Sequence, residues 1–199
     1  MINELVLSLT IIIKEFKINM PYLLWIVGTI WGMYGLTCIT HKKLLYLGII
    51  PRRLYGLPGI VFSPFLHANF NHVFFNTIPL VVLSNFILIG GLHYYLYVTL
   101  VIAIISGFLI WCFAKSGIHI GASSVITGYW ALLVSNIYEQ GTVIAVILGI
   151  LCLYYFIGIL YSIFPSEKGI SWEGHLFGCI AGGLVSFWGI GLSLIAPLS

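Results

Sequence analysis

The sequence predicts an all-α, polytopic membrane protein built as a bundle of six transmembrane helices. Composition is the first reason. The 199 residues are 61% apolar and 16% aromatic but only 7% charged, with a mean hydropathy of +1.13, whereas a soluble domain is about a quarter charged. Eight Lys/Arg and five Asp/Glu cannot coat a water-facing surface for a chain of this size. The second reason is that the few charges separate long uncharged runs near the length of a membrane span. The third is that these runs lack the alternation of apolar and polar residues found in membrane β-barrels. A soluble globular domain, a disordered segment and a secreted disulfide scaffold are thereby excluded.

The uncharged stretches are 18–41, 54–114, 116–138, 140–166 and 174–199. A helical span needs about 20 residues, so four of them hold one span each. The stretch 54–114 must hold two, and Gly90-Gly91 is the break between them. The expected spans are about 20–40, 68–89, 93–113, 121–137, 142–164 and 174–195, within a single membrane domain covering residues 1–199. Ahead of them, Leu5 to Ile13 is apolar and is followed by Lys14, Glu15 and Lys17. No basic region precedes it and no small-residue cleavage site follows, so it reads as a membrane-surface segment rather than a removed signal peptide. The segment 41–66 carries Lys42, Lys43, Arg52 and Arg53 among Pro51, Pro58 and Pro64. It cannot cross as a helix, yet it is too apolar for a solvated loop. It is expected to lie in the interface with its basic residues towards headgroups.

The net charge of +3 is spread out and gives no nucleic-acid footprint. Cys38, Cys112, Cys152 and Cys179 show no CxxC spacing and read as small packing residues. No internal repeat is visible, which weakens a transporter built from duplicated halves.

Polar side chains inside apolar spans are costly and point to function. Three clusters stand out. His67, His72 and Asn76 open the second span, and His72 and Asn76, four apart, share one helix face. Two donors there suit an anion or a polarised carbonyl oxygen; the plainer role is capping or gluing helices. Gly121-Ala-Ser123-Ser124 opens the fourth span. A serine at a helix N-terminus lies near free N–H groups that would stabilise an oxyanion, or is simply an N-cap. Trp172-Glu-Gly-His175-Leu-Phe-Gly178 opens the sixth, and Gly178 with Gly182 forms a small-xxx-small face for close helix approach. Together the clusters supply a nucleophile, a base and oxyanion donors, the three roles of acyl transfer.

These residues make the sequence resemble the rhomboid intramembrane serine proteases. The family pattern is H-x4-H-x3-N on the second span, G-x-S on the fourth and H-x2-G on the sixth. Here it is met by His67, His72 and Asn76, by Gly121-Ala-Ser123, and by His175-Leu-Phe-Gly178. Leu47-Gly-Ile-Ile-Pro-Arg-Arg, Leu57-Pro-Gly-Ile and Phe65-Leu-His67-Ala are also similar to bacterial members with a six-span core. The resemblance runs over roughly residues 20–195. It implies a six-transmembrane-helix rhomboid-like bundle with Ser123 as nucleophile and His175 as general base. It further implies an oxyanion site of His72, Asn76 and the Ser123 N–H, supported by His67 and Gly121. Substrates would be transmembrane proteins cut in or near their membrane segments, with no metal or organic cofactor and no nucleic acid. The implied setting is the bilayer of a bacterial inner membrane, with a cytoplasmic N-terminus. The charge count opposes that orientation, because Lys42, Lys43, Arg52, Arg53, Lys115 and Lys168 would then lie outside.

Two residues depart from the family pattern: Ser124 stands where the family often has glycine, and Thr127 where it often has an aromatic residue that stacks on the histidine. Glu173, two residues before His175, is not required by the family dyad. The alternative reading is a catalytically inactive rhomboid-like scaffold that binds membrane helices. A third is a transporter or channel using His67, His72, His119 and His175; it lacks a membrane-embedded carboxylate to complete a relay.

Overall fold

A computed structural model describes residues 2–140, 150 and 172–190. Among these the architecture is helical, with one isolated antiparallel bridge between Ile49 and His119. The helices are α1 (Ile2–Ile39), α2 (Gly59–Phe62), α3 (Phe70–Leu88), α4 (Leu92–Phe113), α5 (Ser123–Gln140) and α6 (Trp172–Val185), the last running into a π-helical turn at Ser186–Ile190.

The expected second and third spans are α3 and α4. Gly90-Gly91 separates them, and Gly91 has a φ of 90°, which a residue with a Cβ rarely adopts. The first span differs from expectation at its start. The apolar N-terminal segment is not a separate element, because α1 continues through it and through Pro21 to Ile39. Lys14, Glu15 and Lys17 are good helix formers and give no reason to stop. The apolar, span-forming part of α1 is Ile13–Ile39. Six spans were expected; among the described residues, three helices are long and apolar enough to cross a membrane: α1, α3 and α4. In α5 the stretch Ser123–Ser135 is a shorter apolar helix, and α6 has 14 residues among those described. Apart from residue 150, the expected fifth span, 142–164, lies outside the described residues, as does the end of the sixth, 191–195.

The core sits where α3, α4, α5 and α6 meet. Val73, Leu83, Ile87, Val98, Ile102, Tyr129, Leu132 and Val185 are fully buried there. The outward faces are apolar as well, with Trp25, Leu100, Ile104 and Phe108 exposed, as expected where the surrounding solvent is hydrocarbon. Two buried amides pair across α1 and α3. Asn19 of α1 donates from Nδ2 to Asn85 Oδ1 of α3 over 3.2 Å.

The segment 41–66 does not cross the bundle. It folds into short turns around α2 and is tied to the far end of α4 and to the chain that follows. The Arg52 N–H donates to the Trp111 carbonyl. Its guanidinium donates to the carbonyls of Cys112 at 3.2 Å and Ala114 at 2.8 Å. The indole of Trp111 donates back to the Arg53 carbonyl at 2.9 Å. These bonds satisfy carbonyls that a helix C-terminus leaves unpaired. Ile49 and His119 exchange two backbone hydrogen bonds, of 3.0 and 2.8 Å. The loop therefore holds the connection that leads from α4 to Ser123.

Candidate active site

Asn69 caps α3, its side chain accepting from the His72 N–H at 2.9 Å. That cap fixes where α3 begins. It places His72 in the first turn and Asn76 one turn later on the same face. His67, in the loop ahead of α3, is fully buried. Asn76 Nδ2 lies 3.2 Å from His67 Nε2, so the amide donates and the imidazole accepts. The rings of His67 and His72 meet edge to face at 5.0 Å. Burial first, and then the like charge His72 would carry, lower the His67 pKa to about 4, against a weaker pull from the Phe65 carbonyl. A neutral ring is what the hydrogen bond from Asn76 requires.

The glycine before the serine is constrained twice. Gly121 has a φ of 108°, and its N–H donates to the Ser63 carbonyl at 2.8 Å. A Cβ there would stand 2.5 Å from His72 Nε2 and 3.5 Å from Asn76 Nδ2. Two side-chain nitrogens of α3 thus converge on the backbone two residues before Ser123. From Gly121 to Trp130 every residue is buried except Ser123, which is half-exposed. Ser124, the competing hydroxyl, is buried, and its carbonyl accepts from Thr127 Oγ1 at 3.0 Å.

Helices α5 and α6 run parallel at backbone contact. A Cβ on Gly178 would fall 2.0 Å from Thr127 Oγ1 and 2.1 Å from the Ser124 carbonyl oxygen; one on Gly182 would fall 2.0 Å from the Gly128 carbonyl oxygen. This register sets Gly178 beside Ser124 and Thr127. His175, almost one turn earlier, is therefore level with the start of α5. It is near enough to His72 to act on it electrostatically. Ser123, Ser124, Ser63, His119 and Gly174 line a small cavity of about 20 Å³, room for about one water molecule. Glu173 is buried in the first turn of α6, and its Oε1 has no hydrogen-bond partner among the described residues.

The Rhomboid domain family profile matches residues 54–191. The chain belongs to the rhomboid family. Its relatives include an uncharacterized protein of Mycobacterium tuberculosis (strain H37Rv), 35% identical over 183 residues, covering 79% of this chain and 75% of the relative. Another, from Mycobacterium leprae, is 34% identical over 183 residues, covering 79% and 72%. This rhomboid is accordingly a membrane protein, and the sequence-predicted residues occupy one neighbourhood in it. His67, His72 and Asn76 meet Gly121, and the α5–α6 register brings His175 level with Ser123. Thr127, at the position where the family often has an aromatic residue, donates to the Ser124 carbonyl and touches α6 at Gly178.

Sequence reading missed the ties that hold this rhomboid's serine loop: Arg52 on the end of α4, Ile49 on His119, and Ser63 on Gly121. The one available signal was the unusual basic pair after Pro51, which was read as facing headgroups. Arg52, although exposed, also donates to the carbonyls at the end of α4.

Proposed function

We propose that this rhomboid is an intramembrane serine endopeptidase that cleaves transmembrane protein substrates. The observation that carries the reading is the convergence of His72 Nε2 and Asn76 Nδ2 on Gly121, beside the single half-exposed residue of the buried run, Ser123. In the proposed reaction the Ser123 hydroxyl oxygen attacks the scissile carbonyl carbon while its proton passes to His175. The carbonyl electron pair moves onto oxygen, where His72, Asn76 and the Ser123 N–H donate to it. Collapse expels the amine, which takes the proton from His175 and leaves an acyl-enzyme. Water then attacks that ester with His175 again as base, and the Ser123 hydroxyl is restored. No metal or organic cofactor enters these steps. The proposed setting is a bacterial inner membrane, with several spans and an active site opening opposite a cytoplasmic N-terminus.

Labelling of the detergent-solubilised protein with a fluorophosphonate tests this without a known substrate. Labelling is expected in wild type and Ser124→Ala, and is expected to be lost in Ser123→Ala and His175→Ala. Loss of one oxyanion donor typically costs about 10²–10³ in rate, so Asn76→Ala should label far more slowly. No labelling of a folded wild type would reject the enzyme and favour the inactive helix-binding scaffold.

A further inference from the structure

The side-chain amide of Asn76 has two orientations that packing alone hardly tells apart, because its oxygen and its nitrogen are alike in size. Turned one way it offers N–H groups to the serine loop. Turned the other it offers lone pairs, which would repel a developing oxyanion. The Asn69 cap fixes the backbone of α3 at this point but not the rotation of the amide. We infer that His67 is a positioning residue that holds the Asn76 amide nitrogen towards the serine loop. This rests on the serine-protease reading above and adds to it what orients one of the oxyanion donors.

Asn76 Nδ2 lies 3.2 Å from His67 Nε2 and 3.5 Å from the point where a Cβ on Gly121 would stand. One nitrogen therefore faces both the ring and the turn that leads to Ser123. An amide nitrogen carries two hydrogens. One goes to His67, which leaves the other for a substrate oxygen.

His67 can hold the amide this way only as an acceptor. The ring is fully buried and neutral at neutral pH, because burial first and then His72 lower its pKa to about 4. A neutral imidazole has a single N–H. Nε2 faces Asn76, so the Phe65 carbonyl draws on Nδ1, short of a full hydrogen bond. The proton is thus on Nδ1 and Nε2 is bare. Turning the amide over would set its oxygen against that bare nitrogen, two acceptors 3.2 Å apart with no hydrogen between them. In a buried site such a mismatch is costly.

The test is a double-mutant cycle on the full chain, read by fluorophosphonate labelling rate at neutral pH, with thermal melting to show which variants are folded. His67→Leu removes the acceptor and should slow labelling by roughly tenfold or more, with the ~10²–10³ value of a whole donor as the ceiling. His67→Gln restores an acceptor oxygen and should label close to the wild-type rate. In an Asn76→Ala background His67→Leu should have no further effect, because the group it acts through is gone. A residue that only fills space would slow both backgrounds alike. The tautomer is read without catalysis, from the ring-nitrogen chemical shifts of isotope-labelled histidine, assigned with His67→Gln. Nε2 should be bare and Nδ1 protonated; should His67→Leu not fold, this measurement decides alone. A folded His67→Leu as fast as wild type, equal slowing in both backgrounds, or a protonated Nε2 in a wild type that labels would overturn the assignment. A folded wild type that does not label is a different failure: it rejects the protease reading and takes the catalytic role of Asn76 with it.

Discussion

Gly178→Ala probes the contact on which the α5–α6 register depends. The added methyl would fall 2.1 Å from the Ser124 carbonyl oxygen and 2.0 Å from Thr127 Oγ1, where ordinary contact begins near 3.4 Å. The carbonyl is backbone and cannot swing aside, so the two helices must part by about 1.3 Å, the difference between those two distances. Overpacking of this kind costs about 1–3 kcal/mol. A displacement of about 1 Å between catalytic groups can cost about 10²-fold in rate, so fluorophosphonate labelling should slow by that order. Gly183→Ala is the internal control, since a Cβ there meets nothing within 4 Å. It should label normally and be neutral or slightly stabilised, because alanine is the better helix former. Adding Thr127→Ala to Gly178→Ala removes the hydroxyl clash but leaves the carbonyl one, so it should not restore the rate. The assay pairs labelling kinetics with thermal unfolding in one detergent. Gly178→Ala matching wild type in both, or Gly183→Ala being equally damaged, would refute the close-packing argument.

Arg52→Ala should cost about 1 kcal/mol, discounted for its exposure, and slow labelling, because the α4 end that leads to Ser123 loses two capping bonds; unchanged melting and labelling would remove the clamp. His67 makes stability pH-dependent. Its folded pKa of about 4 lies below the unfolded value near 6.5, so the unfolded chain binds the proton first. The contribution is complete above about pH 6.5 and is lost as pH falls towards 4, up to about 3 kcal/mol in all. The melting temperature should therefore drop over that window, and less steeply in His67→Gln; equal slopes would exclude His67 as the cause. Asn85→Leu leaves the Asn19 amide buried alone and should cost about 1–3 kcal/mol, much of it regained in the Asn19→Leu/Asn85→Leu pair. A single variant as stable as wild type would show that their hydrogen bond contributes nothing.

What could be read from the sequence was what repeats locally or is fixed by composition. The shortage of charge marks the membrane, and Gly90-Gly91 marks the α3–α4 break. The spacings around His72, Ser123 and His175 survive as faces of single helices, and these give the family. The ties between Arg52 and Ala114, Ile49 and His119, and Ser63 and Gly121 join positions roughly sixty residues apart, with no periodicity to announce them. A basic residue beside a proline looks the same in sequence whether it faces a headgroup or a helix C-terminus. The choice of Ser123 over Ser124 was likewise a matter of motif alone; burial supplies a physical reason, since only Ser123 is accessible.

The placement of the polar residues at helix beginnings has its own physical logic. His72 lies in the first turn of α3, Ser123 is the first residue of α5, and His175 lies in the first turn of α6. The contact of His72 with Gly121 and the parallel α5–α6 register bring these three starts to one level. Each helix start carries the positive end of its dipole, about half an elementary charge, and N–H groups for which the helix itself has no acceptor. Such ends can stabilise a developing oxyanion without a lysine or arginine, whose own burial at this depth would be costly. In the proposed enzyme, a chain with this little charge would assemble its anion-stabilising site from backbone dipoles and two side chains of α3. That would explain why each of the three clusters opens a helix rather than sitting in the middle of one.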